Sequence, residues 1–346
     1  MRTAGMMRTR RAVEGLTPGY FALVMASGII SVGLELEGVR RLSLLLLGAC
    51  VAAFVVLLGL TVWRFVAFRA AVNEDFMDPR RAFGFFTFVA GTNVLGVRLG
   101  MEGYHEVTAA LLVLSGLVWL VLGYVVPWTA VLGREERPVV VTANGTWFIW
   151  VVASQSVAVA AASIEPVFDA GRRELALLAV MSWSVGVFLY AAAGIFVSLR
   201  LMLYPFGPEE LTPPYWVSMG ALAITVLAGA RIVEMADAPM VAATRDLIAG
   251  LAVVFWAFAT WLFPVLIAAG WWRHVARRVP LRYEATLWSI IFPLGMYAVA
   301  GIYLGQADNL PVVGLVGRVE LWVALGAWFV VAAAMTRHVV RTVVRG

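Results

Sequence analysis

The stretch TPGYFALVMASGIISVGLELEGVRRLSLLLLGACVAAFVVLLGL (17–60) holds two apolar runs of different character. The first, up to Gly33, carries Pro18, Gly19, Ser27, Gly28 and Ser31 among its apolar residues. The second, from Leu42 onward, is nearly continuous hydrocarbon. Either run approaches the roughly 20 helical residues that cross a bilayer core about 30 Å thick. Arg40 and Arg41 sit in the short connection. The stretch predicts two unlike membrane-spanning helices, one after the other, and the rest of the chain repeats the pair.

Composition supports this reading over the whole length. Of 346 residues, 62% are hydrophobic and 14% charged, whereas a water-soluble domain runs at about 45–50% apolar and about 25% charged. All 26 basic residues are Arg, scattered in small groups between apolar runs. A nucleic-acid binder would gather them on one solvent face, so nucleic acid is not an expected partner; membrane lipid is. Cys50 is the only cysteine, which excludes an intramolecular disulfide and a cysteine-built zinc or iron–sulfur site. Its apolar surroundings predict a buried thiol. The three histidines, His105, His274 and His338, fall near expected membrane edges, so neither a metal nor another cofactor is expected.

Ten segments meet the length and apolarity of a span: 17–34, 42–63, 83–99, 107–132, 146–163, 175–203, 212–233, 247–271, 285–304 and 319–336. The connections are too short for a soluble domain. One all-α transmembrane domain is therefore expected over 1–346, with a short N-terminus (1–16) and a short basic C-terminus (337–346). The basic start MRTAGMMRTRRAVEG (1–15) leads into a span long enough to stay in the membrane, which argues against a cleavable signal peptide. Arginine also sets the orientation. Arg40, Arg41, Arg98, Arg172, Arg173, Arg231, Arg245 and Arg318 fall on one side, and the other 18 of the 26, Arg134 among them, fall with the termini. Both termini are expected in the cytoplasm, in a cell membrane.

Odd and even spans differ throughout. Odd ones carry small polar and helix-disturbing residues at mid-span: Thr87, Gly91, Thr92, Asn93 and Gly96 in the third, Ser154, Gln155 and Ser156 in the fifth, Pro213, Pro214, Ser218, Gly220 and Thr225 in the seventh, and Ser289, Pro293 and Gly295 in the ninth. Even ones, such as LLVLSGLVWLVLGYVV (111–126), are oilier. Hydrocarbon offers no hydrogen-bond partner, so polar helices should face protein or water. Five inner odd helices, each covered by an outer even one, satisfy every segment. Close helix–helix packing through Gly and Ser is the competing explanation, although it does not by itself require the alternation.

The chemistry-bearing residues are sparse. Glu35, Glu174, Glu234, Glu284 and Glu320 all fall near expected span ends, leaving no carboxylate in the middle third of a span. Proton-driven carriers and cation channels commonly place acids there. A phosphate-binding GxxxxGK[ST] loop, GxSxG and HExxH are absent, which disfavours an enzyme. Asp75, Asp78, Arg80 and Arg81 in NEDFMDPRRAFGFF (73–86) read as a solvated turn with a capping Asp before Pro79 rather than as a metal motif. Arg231 and Glu234, three apart on one helix, read as a structural pair at the membrane edge. In WSIIFPLGMY (288–297), Pro293 cannot donate to the helical ladder and should bend span 9. Phe292 could then project toward an axis and close a pore; spacing alone fits a packed core phenylalanine better.

The segments LTPGYFALVMASGIISVG (16–33), DPRRAFGFFTFVAGTNVLGVRL (78–99), NGTWFIWVVASQSVAV (144–159), TPPYWVSMGALAIT (212–225) and WSIIFPLGMY (288–297) resemble the tellurite-resistance/dicarboxylate transporter family, which includes fungal malate and sulfite permeases and plant slow anion channels. They cover all five odd spans. The resemblance implies five helical hairpins around a central pore, odd helices inner and even helices outer, assembled as a homotrimer with one pore per protomer. It also implies that Phe292, in its Phe292–Pro293 context, is the gate. Small and polar groups should line the pore, for which Gly28, Gly91, Asn93, Gln155, Ser218 and Gly295 are the candidates. The expected activity is passive passage of small inorganic anions or four-carbon dicarboxylates, from chloride and nitrate to sulfite, tellurite and malate. A proton-coupled dicarboxylate carrier is the alternative, one that lacks an evident intramembrane acid here.

Overall fold

The computed structural model describes residues 2–133, 137–235, 238–307 and 309–345; Arg134, counted above with the cytoplasmic arginines, lies outside them. Every regular element among them is helical. Ten helices have the length and apolarity to cross a membrane: spans 1 (Pro18–Leu36), 2 (Arg40–Ala67), 3 (Ala82–Gly100), 4 (His105–Leu132), 5 (Gly145–Ile164), 6 (Arg172–Leu203), 7 (Pro213–Val233), 8 (Pro239–Ala276), 9 (Ala285–Ala307) and 10 (Pro311–Thr342).

Most boundaries fall within a few residues of the sequence expectation. Spans 8 and 10 start well before it, each with a proline in the first turn, where the missing N–H is not needed. Charges at Arg245 and Asp246, and at Arg318 and Glu320, hide these first turns from a hydropathy reading. Partners accommodate them: Arg245 Nη1 donates to the Val233 carbonyl at 2.8 Å, and Arg318 Nε lies 3.2 Å from Glu37 Oε1. Glu320 is not at the end of span 10 but nine residues in, about 14 Å along the helix at 1.5 Å per residue. It is 9% exposed, and its Oε1 has no hydrogen-bond partner.

The two sets of spans differ in length and burial. Odd spans have 19–23 residues and even spans 28–38, so odd helices are about 29–35 Å long and even ones about 42–57 Å. In odd spans 78–89% of the most apolar window is buried, against 17–33% in even spans. Consecutive spans pack as 1 with 2, 3 with 4, 5 with 6, 7 with 8 and 9 with 10, and the odd spans also contact one another in the closed order 1–3–5–7–9–1.

Each odd span opens with a 3₁₀ turn: Pro18–Phe21, Ala82–Phe85, Gly145–Trp147, Pro213–Trp216 and Ala285–Leu287. These five turns touch in the same cyclic order and form a collar at one end of the ring. Local sequence dictates them. Pro18 and Pro213 supply a pre-set φ at the first position, and the Asn144 carboxamide oxygen accepts from the Thr146 N–H at 2.8 Å as a cap. A Cβ on Gly145 would lie 2.3 Å from the Pro214 carbonyl carbon, so glycine alone lets these two turns meet.

Ion clusters hold both ends. Next to the collar, Asp75 is 2% exposed and forms ion pairs with Arg64, Nη1 to Oδ2 at 2.7 Å, and Arg81, Nε to Oδ1 at 2.9 Å. Arg64 Nε donates to the Glu14 carbonyl at 3.0 Å, which ties in the N-terminal helix Arg2–Glu14. The solvated turn expected here is instead a helix, Arg69–Met77, followed by a turn in which only Asp78 keeps the capping role, its Oδ1 accepting from the Arg80 N–H. At the far end Arg98, fully buried in the last turn of span 3, donates to Ser31 Oγ, Ser43 Oγ, Glu35 and Glu102 at 2.8–3.0 Å. Hydrogen bonds from Arg40 and then Arg98 hold the Glu102 carboxyl below its ordinary value.

Candidate functional site

The odd-span ring encloses a cavity lined by Ile29 and Val32 of span 1, Asn93, Val94 and Val97 of span 3, Ser156 and Val159 of span 5, Ile224, Leu227 and Arg231 of span 7, and Met296 and Tyr303 of span 9. All five odd spans contribute and, among the described residues, no even span does. The space open to a water-sized sphere is about 20 Å³. A water molecule needs about 10–15 Å³ by that measure, so the cavity has room for water but not for a dicarboxylate. Among the described residues, Arg231 is its one charged lining residue and no carboxylate lines it.

Two polar groups on the wall are fixed by each other. Asn93 Nδ2 donates to Ser156 Oγ at 3.0 Å, and Ser115 Oγ of span 4 donates to Asn93 Oδ1 at 2.6 Å. The amide is thus satisfied without water, as a buried polar group must be. Phe292 is 1% exposed and sits one helical turn before Met296, on the same face of span 9. Its neighbour Pro293 is seated against span 7: a Cβ on Gly220 would lie 2.9 Å from Pro293 Cγ.

Other sequence candidates occupy different places. Gly28 faces Val94 and Cys50, where a Cβ would lie 2.6 Å from Val94 Cγ1; Gly91 faces the Phe21 carbonyl and Val24; Gly295 faces Ile29 and Ile30 at 2.9 Å. All three are contacts between span 1 and its neighbours. Gln155 turns toward span 6, where Nε2 donates to the Trp183 carbonyl at 3.1 Å and its body fills the space beside Gly186. Ser218 Oγ donates to the Tyr215 carbonyl of its own helix. Of the candidates, Asn93 alone is on the cavity wall. Ser156, Met296, Tyr303 and Arg231 are there without having been singled out as lining residues.

Electrostatics distinguish the two ends. All five odd spans run away from the collar, so five helix N-termini converge there and five C-termini converge at the other end. Each N-terminus carries roughly half a positive charge and each C-terminus roughly half a negative one. The collar end therefore favours anions through backbone dipoles alone, while the far end disfavours them unless side chains compensate. Two odd spans have a basic residue in the last turn, Arg98 and Arg231. Arg98 is committed to Glu35 and Glu102. Arg231 faces the cavity, its guanidinium 4.7 Å from the Tyr303 ring centroid and Nη1 3.6 Å from Glu234 Oε2.

The site thus combines a hydrophobic wall, an anchored amide and one guanidinium. Among the described residues, no group of three His, Cys, Asp or Glu side chains could hold a metal. Ten helices long and apolar enough to cross a membrane define a polytopic membrane protein. The profile of the voltage-dependent anion channel family matches residues 15–336, nearly the whole chain, and the chain belongs to that family. A membrane protein of Mycobacterium tuberculosis strain H37Rv, described as uncharacterized, is 60% identical over 159 residues, which is 46% of this chain and 81% of the relative. An uncharacterized transporter of Methanocaldococcus jannaschii is 22% identical over 334 residues, covering 94% of both chains, and a second from that organism is 22% identical over 92% of this chain and 93% of its own.

Proposed function

We propose that the protein is a passive pathway for small inorganic anions or four-carbon dicarboxylates, running along the axis of the odd-span ring and closed at Phe292. In this reading the whole chain is one transmembrane domain of five helical hairpins. Odd helices are inner and even helices outer, the termini are cytoplasmic, and three copies assemble in the cell membrane. The observation that carries it is the axial cavity, walled among the described residues by odd spans alone, with Arg231 as its charged group and no carboxylate. The convergence of five helix N-termini at the collar adds attraction for anions, and the family description fits the same substrate class. Phe292–Pro293 is the gate pair: the ring is buried one turn from the cavity wall, and an apolar ring at a constriction stops ions by size and by dewetting. Gly28, Gly91 and Gly295 serve the pathway by bringing helices together, with Gln155 and Ser218 as supports around it.

The test is anion current in planar bilayers, parent protein beside Phe292→Ala, with chloride, nitrate and malate in turn. The expected result is a dissipative current rising on the order of tenfold in the variant, equivalent to about 1.4 kcal/mol of barrier. A phenylalanine that only packs would instead lose about 3–5 kcal/mol of stability on truncation, with flux unchanged.

Glu320 favours one second reading, the proton-coupled dicarboxylate carrier. It is an acid well inside a span with an unpartnered oxygen, and such residues mark proton relays. It stands on span 10, outside the cavity lining, which leaves the passive pathway the better supported. Accumulation of malate against its gradient, abolished by Glu320→Gln, would reverse that order.

A further inference from the structure

The far mouth of the ring poses a problem that the collar does not. An anion travelling the axis meets five helix C-termini there, each with an outward-facing negative partial charge. In a low-dielectric wall that field is poorly screened. Spans 1, 5 and 9 have no basic residue in their last turn, and span 3 has only Arg98, whose guanidinium is enclosed by two carboxylates and two serines. Arg231 is the remaining basic last-turn residue, and it is on the cavity wall.

Its surroundings leave the guanidinium able to act on the axis. The Tyr303 ring, itself on the wall, holds it at 4.7 Å to the centroid, a contact that orients the cation without cancelling its charge. Glu234 approaches Nη1 at 3.6 Å, with its side chain half exposed. That is longer than the about 2.7–2.9 Å of a charge-assisted hydrogen bond, and solvent weakens it further.

We propose that Arg231, oriented by Tyr303, is the anion-selecting residue at the mouth opposite the collar, and that it holds planar oxyanions such as carboxylate or nitrate through the fork of its guanidinium. The site rests on the anion-pathway reading and adds to it a selectivity determinant and a preferred ligand shape. A guanidinium presents parallel N–H donors that match two coplanar oxygens, whereas a spherical halide uses that geometry less well. Glu234 is the tether that competes with the passing anion.

The test compares planar-bilayer conductance and reversal potential at 10 mM and 1 M salt, where the screening length falls from about 30 Å to about 3 Å. The Phe292→Ala protein is the parent, with nitrate, malate or chloride as the anion. Arg231→Gln should lower the low-salt conductance and the anion-over-cation permeability ratio by about tenfold, the low end of what a charged cleft adds to local ion supply. The deficit should close at 1 M. Arg231→Lys, which keeps the charge but not the fork, should retain low-salt conductance and lose the preference for nitrate and malate over chloride. Glu234→Gln should raise low-salt conductance.

An Arg231→Gln protein with the parent's selectivity and low-salt conductance overturns the proposal. So does a deficit that persists at 1 M, which is the mark of a distorted pore; an Arg231→Lys protein as impaired as Arg231→Gln counts against it in the same way. The failure of the underlying reading looks different: no anion current from the parent or the wild type, before any Arg231 variant is compared.

Discussion

Spans 1 and 2, adjacent in the chain and both apolar, use glycine in opposite ways. In span 1 a Cβ on Gly28 would lie 2.6 Å from Val94 Cγ1, and one on Gly33 would lie 2.6 Å from Leu321 Cδ1. In span 2, Gly48 and Gly59 have nothing within 4 Å of the same position. The contrast extends around the molecule: Gly220, Gly295, Gly301 and Gly305 of odd spans are filled against neighbours, while Gly116, Gly194, Gly250, Gly270 and Gly326 of even spans face open space. Even-span glycines are tight where they meet an odd span, as Gly317 is against span 9. Glycine content therefore does not distinguish the sets; what surrounds each helix does. With lipid as apolar as leucine, burial of hydrocarbon gives no preference for one helix over another, and close backbone approach and hydrogen bonds hold the odd ring together.

The largest expected effect tests charge in the two sets. Arg98→Met removes the centre of a buried cluster and leaves Glu35 and Glu102 short of a partner, so thermal unfolding in detergent should report a loss of about 3 kcal/mol. Arg318→Met, breaking an exposed pair with Glu37 on an even span, should cost under about 1 kcal/mol. Similar losses from both would erase the distinction. The Glu102 carboxyl, held low in the folded protein, adds stability that is present above its unfolded value of 4.5 and fades as pH falls through the folded one; Arg98→Met should flatten that acid limb.

Next in size is Gly317→Ala. The added methyl would lie 2.6 Å from the Ala298 carbonyl oxygen and 2.7 Å from the Ile302 nitrogen. Both are backbone atoms, so spans 9 and 10 must separate, at about 1–3 kcal/mol. The smallest effect is Gly59→Ala, where the methyl enters open space and the helix gains at most about 1 kcal/mol from propensity. A destabilised Gly59→Ala protein would mean that the exposed even face is covered in the membrane by another protein surface, the arrangement a trimer would give.

Much of this was legible in the residues. Ten spans, the family and the odd/even difference in composition follow from hydrophobic runs interrupted by Gly, Ser, Asn and Pro. The span starts at Pro239 and Pro311 were not, because Asp246, Arg318 and Glu320 lower local hydropathy and their partners belong to other helices. The Arg69–Met77 helix was hidden for the same reason: its Asp75 is polar in sequence and buried by Arg64 and Arg81 in space.

Sequence by itself determined that this chain has ten segments long and apolar enough to cross a membrane and that the odd ones carry the polar and small residues. Tertiary structure alone decided which of those residues meet the axis. A helix with polar residues on one side and apolar ones on the other declares its orientation, but these buried helices carry only a few small polar residues among apolar ones, so rotation about the helix axis leaves little trace in the hydropathy pattern. Packing fixed it: Gly28, Gly91 and Gly295 turned to neighbouring helices, Gln155 to span 6, and Asn93 and Arg231 to the cavity.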